Sequence, residues 1–149
     1  MSIIGLQLFS VWKDAEKDFL GTVQKVADLG YGAIQFAGFF QTPAQEVKQL
    51  MDANGMKTAG AHVGINQLLG EELLKTINYH HTLDNNLLIC PALPIEMRLS
   101  EDDYMKAAET LNHIALAFSL VITTMILSLK DLEKKQDLIY FLKILIQNT

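Results

Sequence analysis

The residue of this sequence best suited to chemistry is His62, which follows a short apolar stretch flanked by glycines (MKTAGAHVG, residues 56–64). Helix-type patterns precede and follow this stretch, so its small apolar residues predict a strand buried on both faces. His62 then stands at the C-terminal end of that strand, where ligands of parallel α/β folds bind. An imidazole at that place can exchange a proton near neutral pH. The alternative interpretation is a structural histidine beside a turn.

Other polar and reactive residues are weaker candidates. Gln7 and Ser10 lie at the end of the first predicted strand. They either line the same ligand site as His62 or are simply polar residues of a loop. Cys90 lies in an apolar run and lacks the electropositive, accessible surroundings of a reactive thiolate, so it is assigned to the core. His80, His81 and His113 are predicted at the surface, and adjacent histidines lack the i, i+4 spacing that puts two metal ligands on one helix face.

Composition limits the fold class and the compartment. The chain has 149 residues, of which 50% are hydrophobic, enough for one ordinary domain with a core. A net charge of −5 disfavours nucleic-acid binding. One cysteine cannot form an internal disulfide, and the first residues lack the basic region and cleavage site of a signal peptide, so a cytoplasmic location is expected.

Short apolar runs alternate with amphipathic helices along the chain. Strands are predicted near residues 3–9, 33–37, 57–62 and 87–91. One helix is predicted after Trp12 and a second is predicted to be capped by Thr42, with Pro43 in its first turn. A third is expected from about 66 to 80, and a fourth after Ser100. Four such units in a row predict an α/β fold with parallel strands and right-handed crossovers.

Several of these segments together resemble one family. They are IGLQLFSV at 4–11, GAIQFAGF at 32–39, GAHVG at 60–64, LICPALP at 88–94 followed by EMR, and AETLNHI at 108–114. In this order they are similar to the first four strands of the xylose isomerase-like TIM barrels, the sugar phosphate isomerase/epimerase group. The resemblance covers residues 1–114 and implies the N-terminal half of a (β/α)8 barrel.

The resemblance also implies a chemistry. In the family, a proton is removed next to a carbonyl or hydroxyl, and a divalent ion (Mn, Mg or Zn) stabilises the resulting charge. His62 then corresponds to the active-site histidine of the third strand. Gln35 stands where many relatives carry glutamate; its amide can bind a substrate hydroxyl but cannot act as a base. Phe36, Phe39 and Phe40 either form a sugar-stacking lip or, as we favour, pack against the first loop.

The family pattern stops after residue 114. Residues 115–129 form an apolar run too short for a confident membrane span. Residues 120–129 can be encoded by TTG GTT ATC ACA ACC ATG ATT TTG AGT TTG, and these bases read two positions later give GYHNHDFE. The shifted reading continues to ENTDPE, and the two segments resemble the fifth and sixth strand regions of the family. Residues 115–149 are therefore predicted to be a non-native, frameshifted tail following a short deletion.

Two functions remain open at this point. In the first, the chain is a truncated, inactive form of a sugar phosphate isomerase/epimerase. It keeps the candidate catalytic residue His62 and the candidate substrate-binding residues Gln7, Ser10 and Gln35, but no metal ligands, because the resemblance places these on strands five to eight. A small sugar or sugar phosphate is the ligand of the intact family. In the second, the chain is a non-catalytic half barrel. It self-associates or aggregates through its open edges, strands one and four, or uses its apolar tail for a partner or, less plausibly, a membrane.

Overall fold

The computed structural model describes residues 3–118 and the strand at 121–124. Five parallel strands form one sheet in the order β1-β2-β3-β4-β5. The strands are β1 (Gly5–Gln7), β2 (Ala33–Phe36), β3 (Lys57–His62), β4 (Leu87–Cys90) and β5 (Val121–Thr124). The helices are α1 (Trp12–Lys17), α2 (Phe19–Asp28), α3 (Ala44–Ala53), α4 (Glu72–Thr82) and α5 (Glu101–Phe118), with 3-10 turns at Leu8–Val11, Ile65–Leu68 and Ile95–Met97. The predicted α/β fold with four parallel strands is confirmed.

The helices pack on one face of the sheet. Ile34, Phe36, Ala61 and Leu88 alternate toward that face and are fully buried. They join two clusters with helix residues: one contains Val23 and Val47, and the other contains Ile77 and Leu111. On the opposite face, Lys57 and Ala59 are exposed. The prediction that β3 is buried on both faces is therefore wrong, whereas Ala33 of β2 and Ile89 of β4 are buried. Incomplete burial of this face is expected of an arc of a barrel, because the inner face of a closed barrel packs against the inner faces of the other strands.

The first predicted helix is broken in two at Asp18. This residue is extended (φ −152°, ψ 91°), and its carboxylate accepts a hydrogen bond from the Gly21 N–H at 2.9 Å. Asp18 thus caps α2, as acidic residues commonly do at helix starts. A Cβ on Gly21 would come within 2.0 Å of the Asp18 carboxylate, so the cap needs glycine there.

Two other helix starts test the capping predictions. The threonine cap predicted for α3 is wrong: Pro43 is the N-cap, with ψ 139°, and no side chain caps the helix. At α5, the Ser100 hydroxyl accepts from the Asp103 N–H at 3.3 Å, and the Asp103 carboxylate accepts from the Ser100 N–H at 3.0 Å. This reciprocal capping box confirms that a helix opens at Ser100.

The sheet continues beyond the fourth strand. Residues 121–124 pair in parallel with 87–90, and α5 runs to Phe118, four residues past the end of the family resemblance. The prediction that strand four is an open edge is therefore wrong. The frameshift itself, and the division of the chain at residue 114, stay predictions. The apolar run predicted at 115–129 lies partly outside the described residues.

A membrane-spanning helix is not found in this part of the chain: among the described residues, no helix is long and apolar enough to cross a bilayer.

Candidate active site

A cavity of about 920 Å³ opens at the C-terminal ends of the strands. Gln7 enters it from β1, residues 37–42 from the loop after β2, and Pro91 from the end of β4. The loop after β3 contributes His62, Val63, Gly64 and Gln67, and the adjoining face of α4 contributes Glu72, Lys75, Thr76, Tyr79 and His80. The cavity thus lies where a parallel α/β fold places its ligands.

His62 is the last residue of β3 and pairs in register with Ile89 of β4. Just before it, the β2–β3 register shifts, and Gly60 takes φ +112°. A Cβ at Gly60 would stand 3.1 Å from the Leu87 side chain, so glycine permits both the backbone conformation and the close approach of β4. This irregularity precedes the strand end that presents His62 to the cavity.

The Nε2 atom of His62 is buried and has no hydrogen-bond partner among the described residues. Burial lowers the pKa of His62 from its ordinary value, because desolvation disfavours the charged ring. The imidazole is therefore neutral at neutral pH, and His62 lines the cavity. A buried polar atom without a partner costs free energy that a bound hydroxyl or carbonyl can recover.

The amides predicted to bind substrate lie on two neighbouring strands. Gln7 and Gln35 face each other in the β1–β2 register, and both are half-buried. Gln7 lines the cavity, whereas Gln35 lies beside it on the inner face of the sheet without lining it. Ser10 is exposed, does not line the cavity, and donates its hydroxyl to the Gln7 carbonyl at 2.8 Å. Ser10 is therefore part of the turn after β1, and a substrate-binding role for these three residues stays a prediction.

Aromatic side chains form one wall of the cavity. The ring centroids of Trp12 and Phe40 are 4.7 Å apart, and those of Phe9 and Trp12 are 6.0 Å apart. Phe39 stacks obliquely on Tyr79 at 4.6 Å. Phe36 is fully buried, as the packing interpretation predicts, while Phe39 and Phe40 pack against the core and also line the cavity.

His80 is not at the surface, and its predicted exposure is wrong. The side chain is 3% exposed, and its Nδ1 accepts a hydrogen bond from the Asn85 amide at 3.0 Å. Burial, with a smaller contribution from the charge of His81, lowers the pKa of His80 to about 4. The ring is neutral, so its Nε2 carries the proton. His80 lies one helical turn after the buried Ile77, a spacing that could have revealed its burial.

Gln67 is a cavity residue that the sequence did not single out. Its side-chain oxygen accepts a hydrogen bond from the Gly64 N–H at 3.1 Å, and its own N–H donates to the Gly64 carbonyl at 2.9 Å. These two bonds hold the turn that follows His62. The glycine-x-x-glutamine spacing resembles a capping box and was the available signal.

Cys90 is fully buried, which confirms its assignment to the core. Burial raises the pKa of its thiol, so it is protonated and unreactive at neutral pH.

The residues of the cavity do not form a metal centre. No group of three His, Cys, Asp or Glu side chains placed to hold a metal ion occurs within residues 3–118. Beside His62 the described neighbours on β1 and β2 are amides, which are weak ligands for divalent ions compared with carboxylates.

Comparison with solved structures identifies the fold. The structure is similar to that of a sugar phosphate isomerase/epimerase from Parabacteroides distasonis ATCC 8503, with a TM-score of 0.57 and 20% sequence identity. The match covers 81% of this chain and 50% of that protein, its N-terminal half. This chain has the fold of a partial TIM barrel. The partial barrel spans about half the length of its solved neighbour, and at this identity the likeness establishes the fold alone.

No family model matches the sequence of the partial barrel, and no curated protein matches it.

Proposed function

We propose that this partial barrel is a sugar phosphate isomerase/epimerase-like protein whose cavity binds a small polyhydroxylated carbonyl compound. The observation that carries the proposal is the buried, unpartnered Nε2 of His62 at the end of β3, on a cavity of about 920 Å³. His62 offers a neutral imidazole that can hydrogen-bond the carbonyl or an adjacent hydroxyl and exchange a proton with it. The fold match to a sugar phosphate isomerase/epimerase supports the same class of ligand.

In this proposal, the chain by itself has no isomerase turnover. The resemblance places the metal-binding carboxylates of the family on strands five to eight, and the predicted frameshift would remove them. The partial barrel then retains ligand binding and one acid/base group. The electrostatic stabilisation that dominates such catalysis would come from the remaining strands.

The replacement His62→Gln tests this site. We expect it to weaken the binding of a ketose such as fructose about tenfold, since it removes a hydrogen bond made inside a desolvated cavity. Binding is measured by NMR, from ligand-induced shifts of the backbone amides of residues 62–67. His81→Gln is the matched control, because His81 is exposed and does not line the cavity. Equal affinities in the His62→Gln and unmodified proteins would contradict the proposal.

A second candidate function, a non-catalytic half barrel that associates with its own copies, is favoured by the edge of the sheet. Among the described strands, β1 pairs with β2 alone. The exposed side chains of Ile3 and Ile4 flank this edge. Open N–H and C=O groups beside apolar side chains favour pairing with another chain.

We expect self-association through the β1 edge, seen as dimers or larger species at micromolar concentration in sedimentation velocity. Ile4→Lys should raise the dissociation constant about tenfold or more, because a charge on an edge strand opposes pairing. Leu29→Lys is the control, since Leu29 is equally apolar and exposed but follows α2. A monodisperse monomer would exclude this association.

A further inference from the structure

Few charged side chains line the cavity, and their charges sum to zero. Of the described residues that line it, Lys75 is the cation and Glu72 is the anion at neutral pH, because both imidazoles are neutral. The Lys75 ammonium lies 2.7 Å from the Glu72 carboxylate. A ligand phosphate would therefore meet a cation that already has a carboxylate partner. Tight phosphate sites instead present unopposed Arg or Lys donors.

The helix ends near the cavity also disfavour an anion. A helix N-terminus attracts phosphate through its free N–H groups and its dipole. Here α3 begins two residues after Thr42 and carries Glu46 in its first turn, while α4 begins with Glu72 itself. These carboxylates occupy the favourable positions, and they repel a second negative charge. The net charge of −5 on the whole chain acts in the same direction at long range.

What the cavity offers instead is apolar surface and neutral hydrogen-bonding groups. Phe9, Trp12, Phe39 and Phe40 contribute aromatic surface, and Gln7, Gln41, Gln67 and the two neutral histidines contribute uncharged hydrogen-bonding groups. A sugar or polyol presents alternating C–H faces and hydroxyls, which match aromatic surface and amide groups. Burying a phosphate dianion among such groups without a free cation is costly.

We propose that the ligand of this cavity is a neutral polyhydroxylated compound, a free sugar or polyol, in preference to its phosphate ester. This inference rests on the proposed function, because it concerns the substrate class of the same site. It separates this partial barrel from a protein that holds its substrate by a phosphate group.

Trp12 provides a direct readout, because it is the single tryptophan of the chain and lines the cavity. Its fluorescence is titrated with two matched pairs: fructose and fructose 6-phosphate, and xylulose and xylulose 5-phosphate. We expect each free sugar to bind about tenfold or more tightly than its phosphate ester. Equal or tighter binding of the esters would overturn the inference. It would also be overturned if none of the four compounds changed the fluorescence.

A charge variant sharpens the test. Glu72→Gln leaves Lys75 without its carboxylate partner, so the ratio of phosphate-ester affinity to free-sugar affinity should rise several-fold. Glu71→Gln is the matched control, since Glu71 is adjacent, exposed and outside the cavity lining. A gain in ester affinity of equal size in both variants would contradict a local role for the Glu72–Lys75 pair.

The two proposals can fail separately. If the esters bind more tightly and His62→Gln still weakens binding, the neutral-ligand inference fails and the proposed function stands. If the free sugars bind more tightly but His62→Gln has no effect, the inference stands and the proposed role of His62 fails.

Discussion

Restoring the predicted reading frame after Ile114, together with the bases predicted to be missing and the downstream sequence, should produce metal-stimulated isomerase activity that we do not expect of the present chain. A general acid or base, the role proposed for His62, contributes about a hundredfold to ten thousandfold. Enzymes typically accelerate reactions by at least about a millionfold. In the proposed function, the difference comes from the carboxylates that the family resemblance places on strands five to eight. The expected change is therefore from background to turnover of at least about one per second.

The assay compares the two gene products on ketoses and aldoses and on their phosphates, with manganese, magnesium or zinc added. His62→Gln in the restored protein is the internal control and should lower turnover at least about a hundredfold. Metal-stimulated, His62-dependent turnover by the present chain would show that the active site has been misplaced. An inactive restored protein that folds as a complete barrel would count against the family proposal.

Acid should destabilise the fold strongly through His80. Its pKa is about 4 in the folded protein and 6.5 when unfolded, so the unfolded chain binds more protons between these two values. The free energy of unfolding therefore falls as pH drops from 6.5 toward 4. A difference of about 2.5 pKa units corresponds to about 3 kcal/mol, a large share of the stability of a domain this size. His62, whose pKa is also lowered, acts in the same direction.

Urea denaturation at pH 7, 5.5 and 4 measures this effect. His80→Gln should be less stable at pH 7, because Asn85 loses its partner, but should show a much flatter dependence on pH. His81→Gln is the control: its exposed side chain should leave most of the slope in place. The explanation fails if His80→Gln keeps the full slope, or if the imidazole of His80 titrates near pH 6.5 in the folded protein.

Strands were easier to predict than helix ends. The bounds of β3 agree with the prediction, and β2 and β4 each end one residue earlier than predicted. Only Gly5–Gln7 of the run at 3–9 is a strand, because a 3-10 turn starts at Leu8. Apolar runs between glycines locate the strands, but they do not show which face is covered: Lys57 and Ala59 of β3 are exposed. The residue at which a strand ends depends on its hydrogen bonds to the neighbouring strand. The sequence of one strand alone does not reveal that pairing.

The helices show where local patterns are insufficient. Sequence places the third helix at about 66–80, whereas 65–68 form a 3-10 turn and α4 starts at Glu72. Leu69 and Leu74 match helical spacing yet are exposed, while Thr76 and His80 are buried. A prediction from hydrophobicity alone buries leucine in preference to histidine. The buried face is set instead by the aromatic loop after β2, whose Phe39 packs on α4. The sequence did not indicate that this loop contacts α4.

The candidate site was predicted in part. The position of His62 at a strand end follows from the strand pattern alone. The cavity around it also needs α4, whose Tyr79 and His80 approach the loop after β2 from 37 or more positions along the chain. No spacing rule links such distant segments. The fifth strand was missed for a different reason: the apolar run that contains it was interpreted as a non-native tail.

The hydrogen bond from the Tyr79 hydroxyl to the Thr42 carbonyl, at 2.6 Å, has a consequence for how a ligand enters. It joins α4 to the loop in which Phe40 and Gln41 adopt positive φ angles of 49° and 62°. Burial raises the pKa of Tyr79 to about 12, so the phenol keeps its proton, and this donor, throughout the physiological range. This bond thus ties the loop that carries the aromatic wall to α4 in the unliganded protein. Little conformational entropy is lost on binding, and association should proceed in one kinetic step, without a slow loop rearrangement.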